Sequence, residues 1–264
     1  MATLNRLVRA ELYRFRHTGR YFWYVVIGTF IVAAIPFLSC IDLLDQDLGT
    51  LLGRNIDGVD VGGQMAADAS ILLALMMLPP IIAVFSGQLY NKGKLGYYEI
   101  MTGNSPSRII FSKVFTDGLI YTALVSIALL TFYIYIGFAN GLGGIENAAG
   151  KVILEVILIA QMSIVSVMIM MATRKPGVAG LLAYFRFIIF DSMVIRFLIW
   201  AAGKMELPKL AQFFGYRSMM NKMQLILHGS IDTNIVLQTV FGFIGEFILW
   251  YVIIYCGMKK KKFN

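Results

Sequence analysis

Apolar residues fill this chain in six long blocks, at 22–41, 71–89, 119–139, 152–172, 177–201 and 235–256. A helix crosses a hydrocarbon core with about 20 residues, so each block is long enough to span one. The polar-in, apolar-out alternation of barrel strands is missing from them, and lipid satisfies no backbone group, which leaves helices as the reading. The pattern predicts an all-α membrane protein with six transmembrane helices in a single domain, residues 1–264.

The segments between the blocks have patterns of their own. Leu4, Leu7, Val8, Leu12 and Phe15 recur at helical spacing while Asn5, Arg6, Arg9, Arg16 and His17 take other faces. This predicts an amphipathic helix within 1–21, lying in the inner headgroup region, with Tyr21, Trp23 and Tyr24 anchoring the entry into the bilayer. Residues 90–117 form the longest piece expected on the inner side: a loop at Lys92 to Gly96, a helical stretch at 97–101, a break from Gly103 to Pro106, and a new helix from Ser107. Connections in bundles mostly run ~2 to 8 residues, so an insert of this size predicts a docking surface. Residues 202–234 carry apolar runs at 207–214 and 219–227, each too short to span. With Pro208 suited to a first turn and Gly215 and Gly229 to helix ends, they predict two short helices dipping into the outer leaflet or lying on it. Pro79 and Pro80 should kink the second span.

Composition agrees with the pattern: 58% of residues are hydrophobic and 14% charged, against about a quarter charged in soluble domains. Twenty-three Lys and Arg against 15 Asp and Glu give a net charge of +8, which in a soluble protein would raise nucleic-acid binding. Their placement points elsewhere. Fifteen cations fall on the side of the termini and six on the other, so both termini should be cytoplasmic and no nucleic-acid partner is expected. The first outer loop carries Asp42, Asp45, Asp47, Asp57, Asp60 and Asp68 with one cation, Arg54. No cleavable signal peptide is expected, because the first apolar run is too long for one. Cys40 and Cys256 fall at opposite ends of the bundle, so no disulfide is expected between them.

Five charges lie inside the blocks: Glu155, Arg186, Asp191, Arg196 and Glu246. A central ionised side chain costs about 2.5 to 3.5 kcal/mol on insertion scales, so each needs a reason. Glu155 and Arg196 sit near outer ends, where snorkelling suffices. Arg186 and Glu246 share a depth of roughly 14 to 16 Å from the inner boundary, which predicts an ion pair facing the interior or a conduit. Asp191 follows Arg186 by five residues; in an α-helix that is a rotation near ~140°, which would turn the two to different faces.

Catalytic chemistry is not visible. The nearest approach to a phosphate loop, Gly87 to Leu95, has one residue too many between its glycines and lacks the Ser or Thr that reaches magnesium. His17 and His228 belong to opposite sides, no His, Cys, Asp and Glu cluster has ligand spacing, and no nucleophile elbow is present.

In three features the chain resembles the membrane subunit of ABC-2 class exporters, in particular the short permeases of bacteriocin, lantibiotic and bacitracin self-protection systems. These are the segment Ala10 to His17 before the first span, the run Tyr98-Glu99-Ile100 followed by Gly103 to Lys113 before the third, and the outer insert before the sixth. The resemblance covers the whole length. It implies that the first amphipathic segment is an elbow helix and that a coupling helix between spans two and three docks on a nucleotide-binding subunit. By position Tyr97, Tyr98, Glu99, Ile100 and Arg108 would contact that ATPase, with Arg174 and Lys175 at the same surface. Re-entrant helices would close an outer gate around Phe213, Phe214, Tyr216 and Met219. It further implies a second permease copy or a related permease as partner, ATP and magnesium held by the separate ATPase, no cofactor in this chain, and a bacterial cell membrane as location.

Overall fold

The computed structural model describes residues 2–17, 23, 27, 28, 30, 31, 76–87, 105–140, 148–219, 221, 222 and 233–260, and the regular structure among them is all helical. In chain order these are α1 (Ala2–His17), α2 (Met76–Gly87), α3 (Pro106–Lys113), a π-helical stretch (Val114–Gly118), α4 (Leu119–Asn140) and α5 (Ala148–Thr173). Then follow α6 (Pro176–Tyr184), a second π-helical stretch (Phe185–Ile195), α7 (Arg196–Lys204), α8 (Pro208–Arg217) and α9 (Thr233–Lys260). Among the described residues four helices are long and apolar enough to cross a membrane: Pro106–Ala128, Val152–Thr173, Pro176–Lys204 and Thr233–Lys259. The expected second block is helical over Met76–Gly87, straight through Pro79 and Pro80. Most of the first block lies outside the described residues.

Proline starts three of the helices. Ser105 and Lys175 are extended, and Pro106, Pro176 and Pro208 each open the helix that follows. At a first turn the missing N–H costs nothing and the fixed φ suits the helix. Helix ends are set by residues in the left-handed region. Arg174 (φ 59°) closes α5 and Glu206 (φ 55°) closes α7. At the second site Leu207 N–H donates to the Ala202 carbonyl and Glu206 N–H to the Gly203 carbonyl, a Schellman pattern that turns the chain back into α8.

α5 is the centre of the bundle, packed against α4, α6 and α9. Two thirds of its most apolar window (67%) is buried, compared with 11% for α9. Leu154, Leu158, Val165, Met168 and Ile169 of α5 are sealed, together with Ile109 and Ile110 of α3 and Tyr121 of α4. Close approach needs glycine at Gly87, where a Cβ would stand 2.5 Å from the Met170 sulfur and 2.9 Å from Pro176 Cγ. α9, by contrast, leaves Phe241, Ile244, Ile248 and Leu249 about half exposed or more, an outward apolar face that only lipid or another protein would cover.

Burial corrects one expectation. Glu155 does not snorkel at a lipid edge but is 5% exposed. α5 begins at Ala148, earlier than the apolar block, which sets Glu155 about two turns inside the most enclosed helix.

Candidate functional site

Two groups of charged side chains sit where the long helices meet. In the first, Arg186 forms a two-point contact with Glu246: Nε to Oε1 at 2.6 Å and Nη2 to Oε2 at 2.9 Å. The amide Nε2 of Gln161 donates to the same Oε2 at 2.8 Å. The carboxylate of α9 is thus held from α5 and from the second π stretch at once, with three charge-assisted bonds. Glu246 is 10% exposed and Arg186 28%, so the pair is open on the arginine side. There the guanidinium lies 5.3 Å from the ring centre of Phe187 and 5.6 Å from that of Phe190.

The second group is built on Asp191, only 1% exposed. Its Oδ1 accepts the Met219 backbone N–H at 2.9 Å and its Oδ2 the Ser218 hydroxyl at 3.1 Å. Ser218 in turn accepts the Asn221 N–H at 3.2 Å. Ser218 and Asp191 together satisfy the Met219 and Asn221 amides, which the start of a helical segment would otherwise leave orphaned. Asp191 lies near the middle of Pro176–Lys204, so α8 has folded back along α7 to bring Ser218 beside the interior of the long helix.

Lys222 completes the group at 4% exposure. Burial pushes its ammonium down to about 8 from 10.5; Asp191 and Glu246 pull it back up, while Arg217 and Arg186 push it further down. Lys222 therefore feels both carboxylates and both arginines, which links the two groups electrostatically.

Phe185–Ile195 is π-helical, so the α-helical rotation expected between Arg186 and Asp191 does not apply there as such. The two nonetheless hold different partners: Arg186 holds the Glu246 carboxylate, and Asp191 holds Ser218 and the Met219 amide.

A second ion pair crosses the other end of the bundle. Lys113 Nζ meets Glu11 Oε1 at 3.1 Å, the two side chains 1% and 4% exposed, and ties α1 to α3, the start of the Pro106–Ala128 helix. Tyr251 also donates its hydroxyl to Ser107 Oγ at 2.8 Å, bringing the end of α9 to the start of α3. Sequence reasoning missed Glu11; its signal was that it is the lone acid among the five arginines of residues 1–21.

No family model matches this chain. No curated protein and no solved structure matches it either.

The remaining sequence-derived positions fall as follows. Tyr97, Tyr98, Glu99 and Ile100 lie outside the described residues. Arg108 is exposed on α3, and Arg174 and Lys175 form the connection between α5 and α6, Lys175 exposed. Phe213 and Phe214 touch edge to face on α8, with centres 5.7 Å apart. Tyr216 accepts the Gln212 amide at 2.9 Å, and Met219 is buried beside Asp191. Among the described residues no three His, Cys, Asp or Glu side chains converge as a metal site requires.

Proposed function

We propose that this chain is the permease subunit of an ATP-driven exporter of the ABC-2 class, moving an amphipathic peptide, a lipid or a hydrophobic drug and powered by a separate ATPase. The observation that supports the reading most is the interior polar site, where Arg186, Glu246 and Gln161 meet from three long helices beside Asp191 and Lys222. Charges retained at such depth face a bundle interior or a water-filled path far more often than lipid.

In this reading the termini are cytoplasmic and α1 is the elbow helix. The stretch around Tyr97 to Arg108 docks the ATPase, with Arg174 and Lys175 beside it, and α8 with the 218–222 turn is a re-entrant pair at the outer gate. Two permeases and two ATPase chains complete the assembly in a bacterial cell membrane. Closure of the ATPases on ATP shifts the permease between conformations. The Glu11–Lys113 contact supports this by tying α1 to the start of the Pro106–Ala128 helix.

Co-expression with a candidate ATPase carrying a Gly-x-x-x-x-Gly-Lys-Ser/Thr loop tests the reading. The ATPase should co-purify with the wild-type chain, and a Glu99→Ala, Arg108→Ala double variant should lose it while still reaching the membrane. Undiminished co-purification in the double variant would contradict the proposed docking surface. A secondary transporter is the second reading, favoured by the acids Asp191 and Glu246 at depth; transport driven by an ion gradient with no ATPase present would select it.

A further inference from the structure

The far end of the bundle from α1 holds a cavity of about 360 Å³ between α8 and the first turns of α9. One face of α8 lines it, since Lys209, Gln212, Phe213, Tyr216 and Arg217 recur at helical spacing. Gln238 and Phe241 close it from α9. Two cations, two carboxamides and a phenol converge there with two aromatic rings, and among the described residues the lining includes no carboxylate. The cations stand eight residues apart on α8, about 12 Å along the helix.

Arg217 is positioned rather than free to wander. Its guanidinium lies 5.1 Å from the Phe213 ring centre, and a Cβ added at Gly242 would stand 3.1 Å from its Nη1. A guanidinium with one face on a ring keeps its edge donors available for an oxyanion.

The cavity lies near the start of α9. Gln238 and Phe241 are five and eight residues into that helix, roughly 8 to 12 Å along it from its first residue. From there Phe241, Ile244 and Ile248 continue along α9 as an exposed apolar stripe, an acyl-chain track leading away from the cations.

We propose that this cavity binds the phosphate group of an anionic amphiphile, with Arg217 and Lys209 on the phosphate, Gln212 and Gln238 on its ester or headgroup oxygens, and the chain along Phe241, Ile244 and Ile248. The same two cations disfavour a cationic peptide at this position. The site goes beyond the exporter reading, and its test needs no ATPase, so the two stand or fall separately.

Native mass spectrometry of the full chain in detergent, offered equal amounts of phosphatidylglycerol and phosphatidylcholine, reads the preference directly. Wild type should retain phosphatidylglycerol over phosphatidylcholine by roughly tenfold, the scale two cations near a membrane surface provide. The Lys209→Gln, Arg217→Gln variant should bring the ratio close to one. Arg217→Gln alone should lower it, whereas Gly245→Ala, with nothing within 4 Å of the added carbon, should not. Competition by inorganic phosphate alone would assign the site to free phosphate, and its failure to compete would assign it to the lipid headgroup; both support a phosphate site. A wild-type ratio near one, or a full preference surviving in the double variant, would overturn the proposal. Should the double variant not fold, Arg217→Gln and Gly245→Ala decide, and equal ratios in them would overturn it.

Discussion

Glu11 and Lys113 are separated by 102 residues in sequence, yet their side chains meet at 3.1 Å in a site where neither is more than 4% exposed. α1 is therefore docked on α3 through a charge pair as well as lying as an amphipathic helix with Leu12 and Tyr13 turned outward. Removing one partner strands the other charge in a buried site, which costs about 3 to 5 kcal/mol.

Glu11→Ala and Lys113→Met should each lower the unfolding midpoint of the purified protein markedly, and the double variant should be more stable than either single one. Thermal unfolding in detergent across this cycle checks it. Additive losses would show that the two residues do not interact.

The Arg186–Glu246 contact should behave in the same way but more weakly, because Arg186 is 28% exposed and solvent screens part of the interaction. Glu246→Gln leaves the Gln161 amide an acceptor but takes away the charge, and should destabilise by about 1 to 3 kcal/mol. Adding Arg186→Gln should recover part of that loss in the same unfolding assay.

Lys222 gives the fold a pH dependence of definite sign. Its folded value near 8 lies below the ordinary 10.5. Between those values the unfolded chain binds more protons than the folded one, so stability should rise as pH goes from about 8 towards 10.5. Below pH 8 this contribution is flat. Lys222→Met should remove the rise, as measured by unfolding midpoints across that range.

Glu206 occupies a left-handed backbone position (φ 55°) that favours glycine. A side chain there costs roughly 1 to 2 kcal/mol. Glu206→Gly should therefore stabilise the α7–α8 turn, by somewhat less than that figure because glycine also frees the unfolded chain. A lower unfolding midpoint would mean that the Glu206 side chain contributes more than its backbone costs.

Much of the helical framework could be read from residue pattern, because apolar block length and proline position are local properties. The periodicity of Leu4 to Phe15 marks α1, Pro208 marks the first turn of α8, and the helix expected from Ser107 begins one residue earlier, at Pro106. Equal depth was enough to bring Arg186 and Glu246 together as candidates. The π stretch at Phe185–Ile195 was not legible, since the apolar pattern of 177–201 reads the same with either hydrogen-bond spacing, and with it went the direction of Asp191. The partner of Asp191 depended on α8 folding back along α7, a tertiary event that a turn at Glu206 permits but does not announce. Glu11 and Lys113 were hidden for the same reason: each reads as a surface charge until their helices are brought together.

Reconstituted vesicles decide the proposed permease role most directly. The chain should be inserted with and without the proposed ATPase partner, and vanadate-sensitive ATP hydrolysis measured together with movement of a labelled amphiphile. Movement that requires the ATPase and stops with vanadate is the expected result; movement that proceeds undiminished in vesicles holding this chain alone would contradict it.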